Sequence, residues 1–207
     1  FLEAVASADT IVFDKTGTLT HACPRVAKIV PFNGKGEEEM LRLAACLEEH
    51  FPHSMANAVV EEAKRRGLSH EERHAKVEYL VAHGIASSVD GEQVCIGSAH
   101  FIFEDEKCVI PEGEENKFDA LPPEFSQLYL AIDGVLSAVI CISDPLREEA
   151  REVLSALRNL GVKKLVMLTG DSPRTAASIA EQLGVDDFRA GVLPADKAEY
   201  VAAMRRE

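Results

Sequence analysis

Asp14-Lys15-Thr16-Gly17-Thr18-Leu19-Thr20 follows directly on a short apolar run, Thr10-Ile11-Val12-Phe13. The β-branched and aromatic residues of this run predict a buried strand, and the abrupt change to polar residues predicts a loop at its carboxyl end. The same arrangement recurs far along the chain, where the apolar run 163–168 leads into Thr169-Gly170-Asp171-Ser172. The sequence therefore predicts two strands that each end in a polar loop.

Helical patterns at about 146–160 and 174–184 lie on either side of the second run. Helices that alternate with fully apolar strands are typical of a parallel α/β sheet. Because the carboxyl ends of parallel strands meet at one edge, where open sheets bind ligands, we expect Asp14 to lie close to Thr169-Gly170-Asp171.

The residues gathered at this edge suit phosphoryl transfer. The Asp14 carboxylate can attack the γ-phosphoryl group of ATP and become an aspartyl-phosphate. Gly17 lets the loop curl so that backbone N–H groups face the transferring oxygens, and Lys197 supplies a cation. Hydroxyl donors are expected from three residues: Thr16, Thr18 and Thr169. Mg²⁺ is expected as well, because a cation must lie between an anionic nucleophile and an anionic phosphate.

The middle of the chain has a different character. Amphipathic helices are predicted at Glu37–Ala45 and Met55–Arg66, and the stretch from about 77 to 135 is strand-like, with turns such as Asp90-Gly91. We therefore predict a discontinuous α/β domain, residues 1–22 and 136–207, with an α+β domain inserted at 23–135.

Composition narrows the class of protein. Of 207 residues, 46% are hydrophobic, and the 35 acidic residues outnumber the 22 basic ones to give a net charge of −13. This balance disfavours nucleic acid and anionic membrane surfaces as partners. The five scattered cysteines favour reduced thiols.

The heptapeptide 14–20 resembles the phosphorylation motif of the P-type ATPases, ion pumps of the haloacid-dehalogenase-like fold. Three further segments stand in that family's order: Asp144-Pro145-Leu146-Arg147, Thr169-Gly170-Asp171 and Pro194-x-x-Lys197. The resemblance covers essentially the whole chain. It implies an Asp14 nucleophile, Mg²⁺ held by the Asp14 carboxylate and the Thr16 carbonyl, and an inserted domain that binds ATP. Related phosphatases carry a second Asp at the position of Thr16, so the phosphoenzyme is expected to persist.

The short inserted domain resembles that of the heavy-metal-transporting subgroup. Residues 48–56 are similar to the subgroup's Ser-Glu-His-Pro-Leu-Ala segment, with its adenine-contacting His at His53, its acid at Glu48, and Ser54 in place of the expected Pro. Ala82-His83-Gly84 retains one glycine of a Gly-x-Gly motif. The resemblance implies an ATP-binding set of seven residues: Glu48, His53, Gly84, Gly97, Ser98, Asp144 and Arg147. Taken singly, Gly84 and Gly97 would more often be turn glycines, and His53 alone would more often be a capping or surface histidine.

The resemblance also implies partners beyond these residues. The family has membrane helices, an actuator domain with the dephosphorylating Glu, and a Gly-Asp-Gly-x-Asn-Asp segment that helps hold Mg²⁺. We expect the full-length protein to lie in a membrane, the plasma membrane in our interpretation, with these residues soluble on the cytoplasmic side. The transported cation is not expected to bind here, and the fragment alone is expected to be nearly inactive.

Two other classes of protein stay open as alternatives. One is a free-standing phosphatase or phosphotransferase of the same fold, and the other is a non-catalytic nucleotide-binding module. His70-Glu71-Glu72-Arg73-His74 fits the H-E-x-x-H zinc pattern. Its polar surroundings favour a solvated segment instead.

Overall fold

The structure, a computed structural model, describes residues 7–49, 51–68, 74–80, 84–193 and 195–204, with only the backbone for 74–80. Within these residues the chain forms nine strands and six helices. In chain order they are β1 (Thr10–Asp14), β2 (Arg25–Pro31), α1 (Glu37–Glu48), α2 (Ser54–Arg65), β3 (His74–Leu80), β4 (Gly84–Val89), β5 (Glu92–Gly97), α3 (Glu115–Asp119), β6 (Ser126–Ile132), β7 (Val135–Ser143), α4 (Ala150–Asn159), β8 (Lys164–Leu168), α5 (Pro173–Leu183), β9 (Asp187–Arg189) and α6 (Lys197–Met204).

The chain divides into two compact units. The parallel-sheet unit runs up to Cys23 and resumes at Asp144, and the inserted unit is Pro24–Ser143. The predicted boundary at 135–136 thus lies at 143–144 in the structure. The physical reason is that β7 pairs antiparallel with β2 and β6 inside the inserted unit, and does not join the parallel sheet.

The parallel-sheet unit contains three described strands in the order β1-β8-β9. The β1–β8 register places Asp14 opposite Leu168, so the two strands end at the same level, as predicted. The core of the unit packs α4 and α5 against β8, whose residues Leu165 to Met167 are fully buried. The mixed α/β fold expected from the sequence is confirmed.

Helix α5 follows β8 because the sequence defines both of its ends. The Ser172 side chain accepts the Thr175 N–H at 3.3 Å, Pro173 stands at the first helical position, and Gly184 ends the helix with a left-handed φ of 72°. The other flanking helix differs from expectation, since α4 begins at Ala150 and not near 146. Residues before it are drawn into a β-bridge between Thr20 and Leu146.

The inserted unit is built on a six-stranded antiparallel sheet with the order β2-β7-β6-β5-β4-β3. Helices α1 and α2 pack on one face, around Met40, Leu41 and Val59. The other face is covered by aromatic residues, including Phe32, Phe101 and Tyr129. Both predicted helices are present, with α1 extending to Glu48.

None of the helices in the described ranges combines the length and apolarity that a bilayer crossing requires.

Candidate active site

The loop after β1 folds as one irregular helical turn, Lys15–Leu19, interrupted at Thr16 and Gly17. Gly17 has φ 81° and ψ −12°, a conformation that residues with a Cβ rarely adopt. The Thr20 N–H closes the turn on the Lys15 carbonyl at 3.2 Å. The predicted curl of this loop is present, and Gly17 is the residue that permits it.

The Asp14 carboxylate lies at the carboxyl end of β1 and meets Lys197. The Lys197 ammonium donates to Asp14 Oδ1 at 2.8 Å, although the two residues are 183 positions apart. The Asp14 side chain is 43% exposed, and its Oδ2 makes no hydrogen bond to any other residue that the structure describes. This carboxylate is therefore held by a cation on one oxygen and open to solvent on the other.

Lys15 and Asp171 form a buried ion pair beneath the loop. Their charged atoms are 2.6 Å apart, and the side chains are only 5% and 9% exposed. The Thr169 hydroxyl donates to Asp171 Oδ2 at 2.8 Å and accepts the Asp171 N–H at 3.1 Å. Lys15 and Thr169 thus join the two polar loops through Asp171.

Asp144 and Arg147, predicted to contact ATP, direct their side chains to the same loop. Asp144 accepts from the Thr20 hydroxyl at 2.6 Å and from the Cys23 N–H at 3.2 Å. Arg147 donates to the carbonyls of Thr18 and Gly17 at 3.1 and 3.5 Å. Sequence reasoning missed the role of Thr20, whose partner lies 124 residues away and which no local spacing reveals.

The predicted adenine pair, Glu48 and His53, lies in the inserted unit. His53 caps α2, because its Nδ1 accepts the Ala56 N–H at 3.2 Å. Its ring is half exposed, and its Nε2 lies 3.2 Å from Glu48 Oε2. The angle between the two groups is nevertheless unsuited to a hydrogen bond. Glu48 is 2% exposed, and Oε2 is a buried acceptor without a hydrogen-bond partner in the described part of the chain.

One of the predicted glycines, Gly84, has a structural explanation in packing. Gly84 and Gly97 are opposite each other in the β4–β5 pair. A Cβ at Gly84 would lie 2.1 Å from Phe101 Cδ1 and 2.6 Å from the Ile96 carbonyl oxygen. The Ser98 hydroxyl accepts the Phe101 N–H at 3.2 Å, at the start of the helical turn His100–Asp105. Close approach by a protein ring is sufficient to require glycine at position 84.

Three segments singled out in the sequence fall partly outside the described residues: Pro194 of Pro194-x-x-Lys197, Ala82-His83 of Ala82-His83-Gly84, and positions 70–73 of the H-E-x-x-H pattern. In the ranges that are described, no group of three or more His, Cys, Asp or Glu residues could hold a metal ion. The open Asp14 Oδ2 and the neighbouring Thr16 carbonyl nevertheless suit Mg²⁺, which binds through one or two carboxylates and otherwise keeps water or phosphate oxygens.

Comparison with known proteins gives a consistent result. Residues 8–207 match the model of the haloacid dehalogenase-like hydrolases. The zinc-exporting P-type ATPase of Mycobacterium marinum is 39% identical over 207 residues, which is 100% of this chain and 28% of that protein. The manganese-exporting P-type ATPase of Mycobacterium bovis is also 39% identical, over 99% of this chain and 28% of its own length.

Solved structures agree. A zinc-transporting PIB-type ATPase in its E2.Pi state matches 99% of this chain and 32% of its own, with 36% identity and a TM-score of 0.60. The chain spans little more than a quarter of the curated relatives that it matches. Over that span it resembles the catalytic region of heavy-metal P-type ATPases.

Proposed function

The chain belongs to the haloacid dehalogenase-like hydrolases, and we propose that it is the part of a heavy-metal pump that takes phosphate from ATP. In this proposal Asp14 is the phosphate acceptor and the inserted unit holds the nucleotide. The relatives supply the context of a pump, because they are named as P-type ATPases that export zinc or manganese.

The observation that carries the proposal is the state of Asp14. A nucleophile must be reachable, and this carboxylate is 43% exposed at the end of its strand. It must also approach a polyanion, and the Lys197 ammonium 2.8 Å away offsets part of that repulsion. The buried pair of Lys15 and Asp171 fixes the loop without occupying the nucleophile.

The reaction is an in-line transfer. An oxygen of the Asp14 carboxylate forms a bond to the γ-phosphorus while the bond from that phosphorus to the β,γ-bridging oxygen breaks. The electron pair of the broken bond leaves with ADP, and Asp14 becomes an aspartyl-phosphate. Lys197 stabilises the negative charge shared between the carboxylate and the phosphoryl oxygens.

Mg²⁺, when bound, supplies positive charge that neutralises the phosphate oxygens. Asp14 and the Thr16 carbonyl are the described groups suited to hold it. Thr16 has a second consequence, since its hydroxyl cannot take a proton from water at neutral pH. The aspartyl-phosphate is therefore expected to persist until a base arrives from elsewhere in the full-length protein.

The inserted unit contributes the nucleotide site. The buried Oε2 of Glu48 makes no hydrogen bond in the described residues and is an acceptor suited to the exocyclic amino group of adenine. The half-exposed His53 ring, whose Nε2 lies 3.2 Å from that oxygen, offers a surface for stacking. Because zinc- and manganese-exporting relatives are equally identical to this chain, we propose that residues outside it choose the ion.

The test is phosphorylation of a full-length protein that includes this chain. Membranes are incubated with γ-³²P-ATP and Mg²⁺, quenched in acid and treated with hydroxylamine, which cleaves acyl phosphates. We expect an acid-stable, hydroxylamine-sensitive label that Asp14→Asn removes completely and that added ADP reverses.

Asp9→Asn is the matched control, because Asp9 is an exposed carboxylate just before the same strand. That variant should be labelled like the wild type. Labelling that survives Asp14→Asn would show that Asp14 is not the acceptor. Rapid phosphate release by the isolated chain, dependent on Asp14, would instead support the phosphatase alternative.

A further inference from the structure

Thr20 closes the far end of the Asp14 loop. Its hydroxyl lies close to Gly17 and Asp144 and, at a longer 3.4 Å, to the Lys15 carbonyl. The residue is 1% exposed. Its Oγ1 accepts the Gly17 N–H at 3.1 Å and stands 2.6 Å from Asp144 Oδ2. A hydroxyl has one proton to donate, and the short distance to a carboxylate assigns that proton to Asp144. The result is a chain of two hydrogen bonds that runs from Asp144 through the Thr20 hydroxyl to the Gly17 N–H, and we call this chain the relay.

The relay is part of a wider attachment. The second oxygen of Asp144 accepts the Cys23 N–H at 3.2 Å. Backbone bonds join His21 to the Pro145 carbonyl at 3.1 Å and Arg147 to the Leu19 carbonyl at 2.9 Å. The 144–147 segment therefore runs along the loop and fixes it through both side chains and backbone.

Gly17 is the point at which this attachment matters for chemistry. A glycine with φ 81° has no Cβ to restrict it, so the turn needs outside restraints to hold one conformation. Thr20 restrains its N–H, and Arg147 approaches its carbonyl. Since Gly17 lies three residues from Asp14, movement of the turn displaces the donors that surround the incoming phosphoryl group.

We propose that Thr20 and Asp144 are positioning residues for phosphoryl transfer, with Asp144 acting through the Thr20 hydroxyl on Gly17 and not on the nucleotide. The inference rests on the proposed role of Asp14 as the phosphate acceptor. A misplacement of about 1 Å in a reacting geometry costs about 100-fold in rate. Loss of the relay should thus slow phosphorylation while leaving ATP affinity unchanged.

The central variant is Thr20→Val, which keeps the shape of the side chain and removes its hydroxyl. Thr175→Val is the matched control, because Thr175 is also 1% exposed in the same unit. It lies in α5, outside the Asp14 loop, and its hydroxyl accepts from the hydroxyl of Ser172, the residue before that helix. Thr20→Ser retains the hydroxyl and should rescue. In Asp144→Asn a single carbonyl oxygen remains to accept two hydrogen bonds, so a partial loss is expected.

Two readouts separate positioning from a purely structural role. The first is the single-turnover rate of Asp14 labelling by ATP in the full-length protein, with ATP affinity measured alongside. The second is hydrogen exchange of the Gly17 amide in the chain 1–207, which reports the restrained N–H directly.

We expect Thr20→Val to be labelled about 10- to 100-fold more slowly, with ATP affinity within threefold of wild type and Gly17 exchange about tenfold faster. Thr20→Ser and Thr175→Val should stay within about threefold of wild type in rate.

Equal rates for Thr20→Val and Thr175→Val would overturn the inference. So would an Asp144→Asn variant with weakened ATP affinity and an unchanged Gly17 amide, because Asp144 would then act on the nucleotide. If Thr20→Val does not fold, Asp144→Asn and Thr20→Ser decide the matter by the same readouts. Absence of Asp14 labelling in the wild type is a different result, since it contradicts the proposed function itself.

Discussion

The two units differ in how far the charged groups of their predicted site residues are bonded to other protein groups. In the parallel-sheet unit each basic site residue has an acidic partner: Lys15 lies 2.6 Å from Asp171, and Lys197 lies 2.8 Å from Asp14. In the inserted unit, Glu48 keeps a buried oxygen without a hydrogen bond in the described residues. Groups that transfer phosphate must be in place before the substrate arrives. A nucleotide-binding surface can leave an acceptor open for its ligand.

The largest expected effect comes from breaking the pairing in the parallel-sheet unit. Lys15→Met keeps the apolar stem and leaves the Asp171 carboxylate buried without its cation. Loss of one partner of a buried pair costs about 3–5 kcal/mol of folding free energy. Urea unfolding, followed through hydrogen exchange of the β8 amides, measures it.

Lys164→Met is the control, because Lys164 is half exposed in the same sheet and pairs with Asp187 at 3.3 Å. It should change the free energy of unfolding by less than about 0.5 kcal/mol. The double variant Lys15→Met/Asp171→Asn should recover part of the loss. A cost below about 1 kcal/mol for Lys15→Met would mean that the pair does not anchor the loop.

The next effect concerns Gly84. This glycine is either required by packing against Phe101 or, as the resemblance implies, a contact of the nucleotide. If packing against Phe101 requires glycine, Gly84→Ala destabilises the inserted unit by about 1–3 kcal/mol through steric overlap. Thermal unfolding of the inserted unit measures the change.

A double-mutant cycle combines Gly84→Ala with Phe101→Leu and measures how far the loss of stability depends on the Phe101 ring. The smaller side chain should make Gly84→Ala less damaging, although the Ile96 carbonyl at 2.6 Å still limits the recovery. Unchanged stability together with weaker ATP binding would instead favour the interpretation of Gly84 as a nucleotide contact.

A smaller effect, on the affinity for ATP, is expected from Glu48, the buried acceptor of the inserted unit. Glu48→Gln should weaken ATP binding about tenfold, because a hydrogen bond to a charged group contributes about 1.5 kcal/mol or more. The free energy of unfolding should change by less than about 1 kcal/mol, since that oxygen makes no hydrogen bond in the described residues and its contact with the half-exposed His53 ring is partly screened by solvent.

Calorimetric titration with ATP tests this prediction on wild type, Glu48→Gln and His53→Gln. Glu38→Gln is the control, an exposed acid in the first turn of the same helix. The wild-type affinity should itself be weak, about millimolar. Unchanged affinity in both site variants would remove the proposed adenine contact.

The smallest expected effect is a dependence of the inserted unit on pH. Hydrogen bonds from Arg65, and then Arg66, lower the pKa of Glu62 to about 2. Because this pKa lies below the unfolded value of about 4.3, the stabilisation is complete above pH 5 and is lost as pH falls towards 2.

Glu62→Gln should therefore make acid unfolding of the inserted unit less steep by up to about one proton. The neighbouring, exposed Glu61 provides the control as Glu61→Gln. Acid titration followed by circular dichroism compares the two, and identical slopes would contradict the prediction.

Local patterns predicted much of this molecule. The strand before Asp14, the turn at Gly17 and the helices α1 and α2 all follow from periodicity, glycine and capping residues within a few positions of one another. What the sequence could not give was long-range pairing. An apolar run such as β7 fits either sheet, so the domain boundary was misplaced by one strand.

Long-range pairing also gives the predicted site residues partners that the sequence does not reveal. Asp144 and Arg147 stand in a segment that suggested nucleotide contacts, yet their described partners are Thr20, Cys23 and the carbonyls of the loop. Lys15 follows Asp14 directly, and its buried side chain lies 2.6 Å from Asp171. Tertiary structure decides these contacts, and no local spacing predicts them.

The two ends of the inserted unit are neighbours. Arg25 near its beginning and Ser143 at its end are Cα partners in the β2–β7 pair. On the other side of the crossing, the Cys23 N–H bonds the Asp144 side chain. For the parallel-sheet unit, a folded insertion with adjacent ends closes like a very short loop, whatever its length, and so adds little closure entropy. Residues 24–143 therefore form an exchangeable module. During evolution they can become longer or shorter, or be replaced, without a change in the topology of the parallel-sheet unit around Asp14.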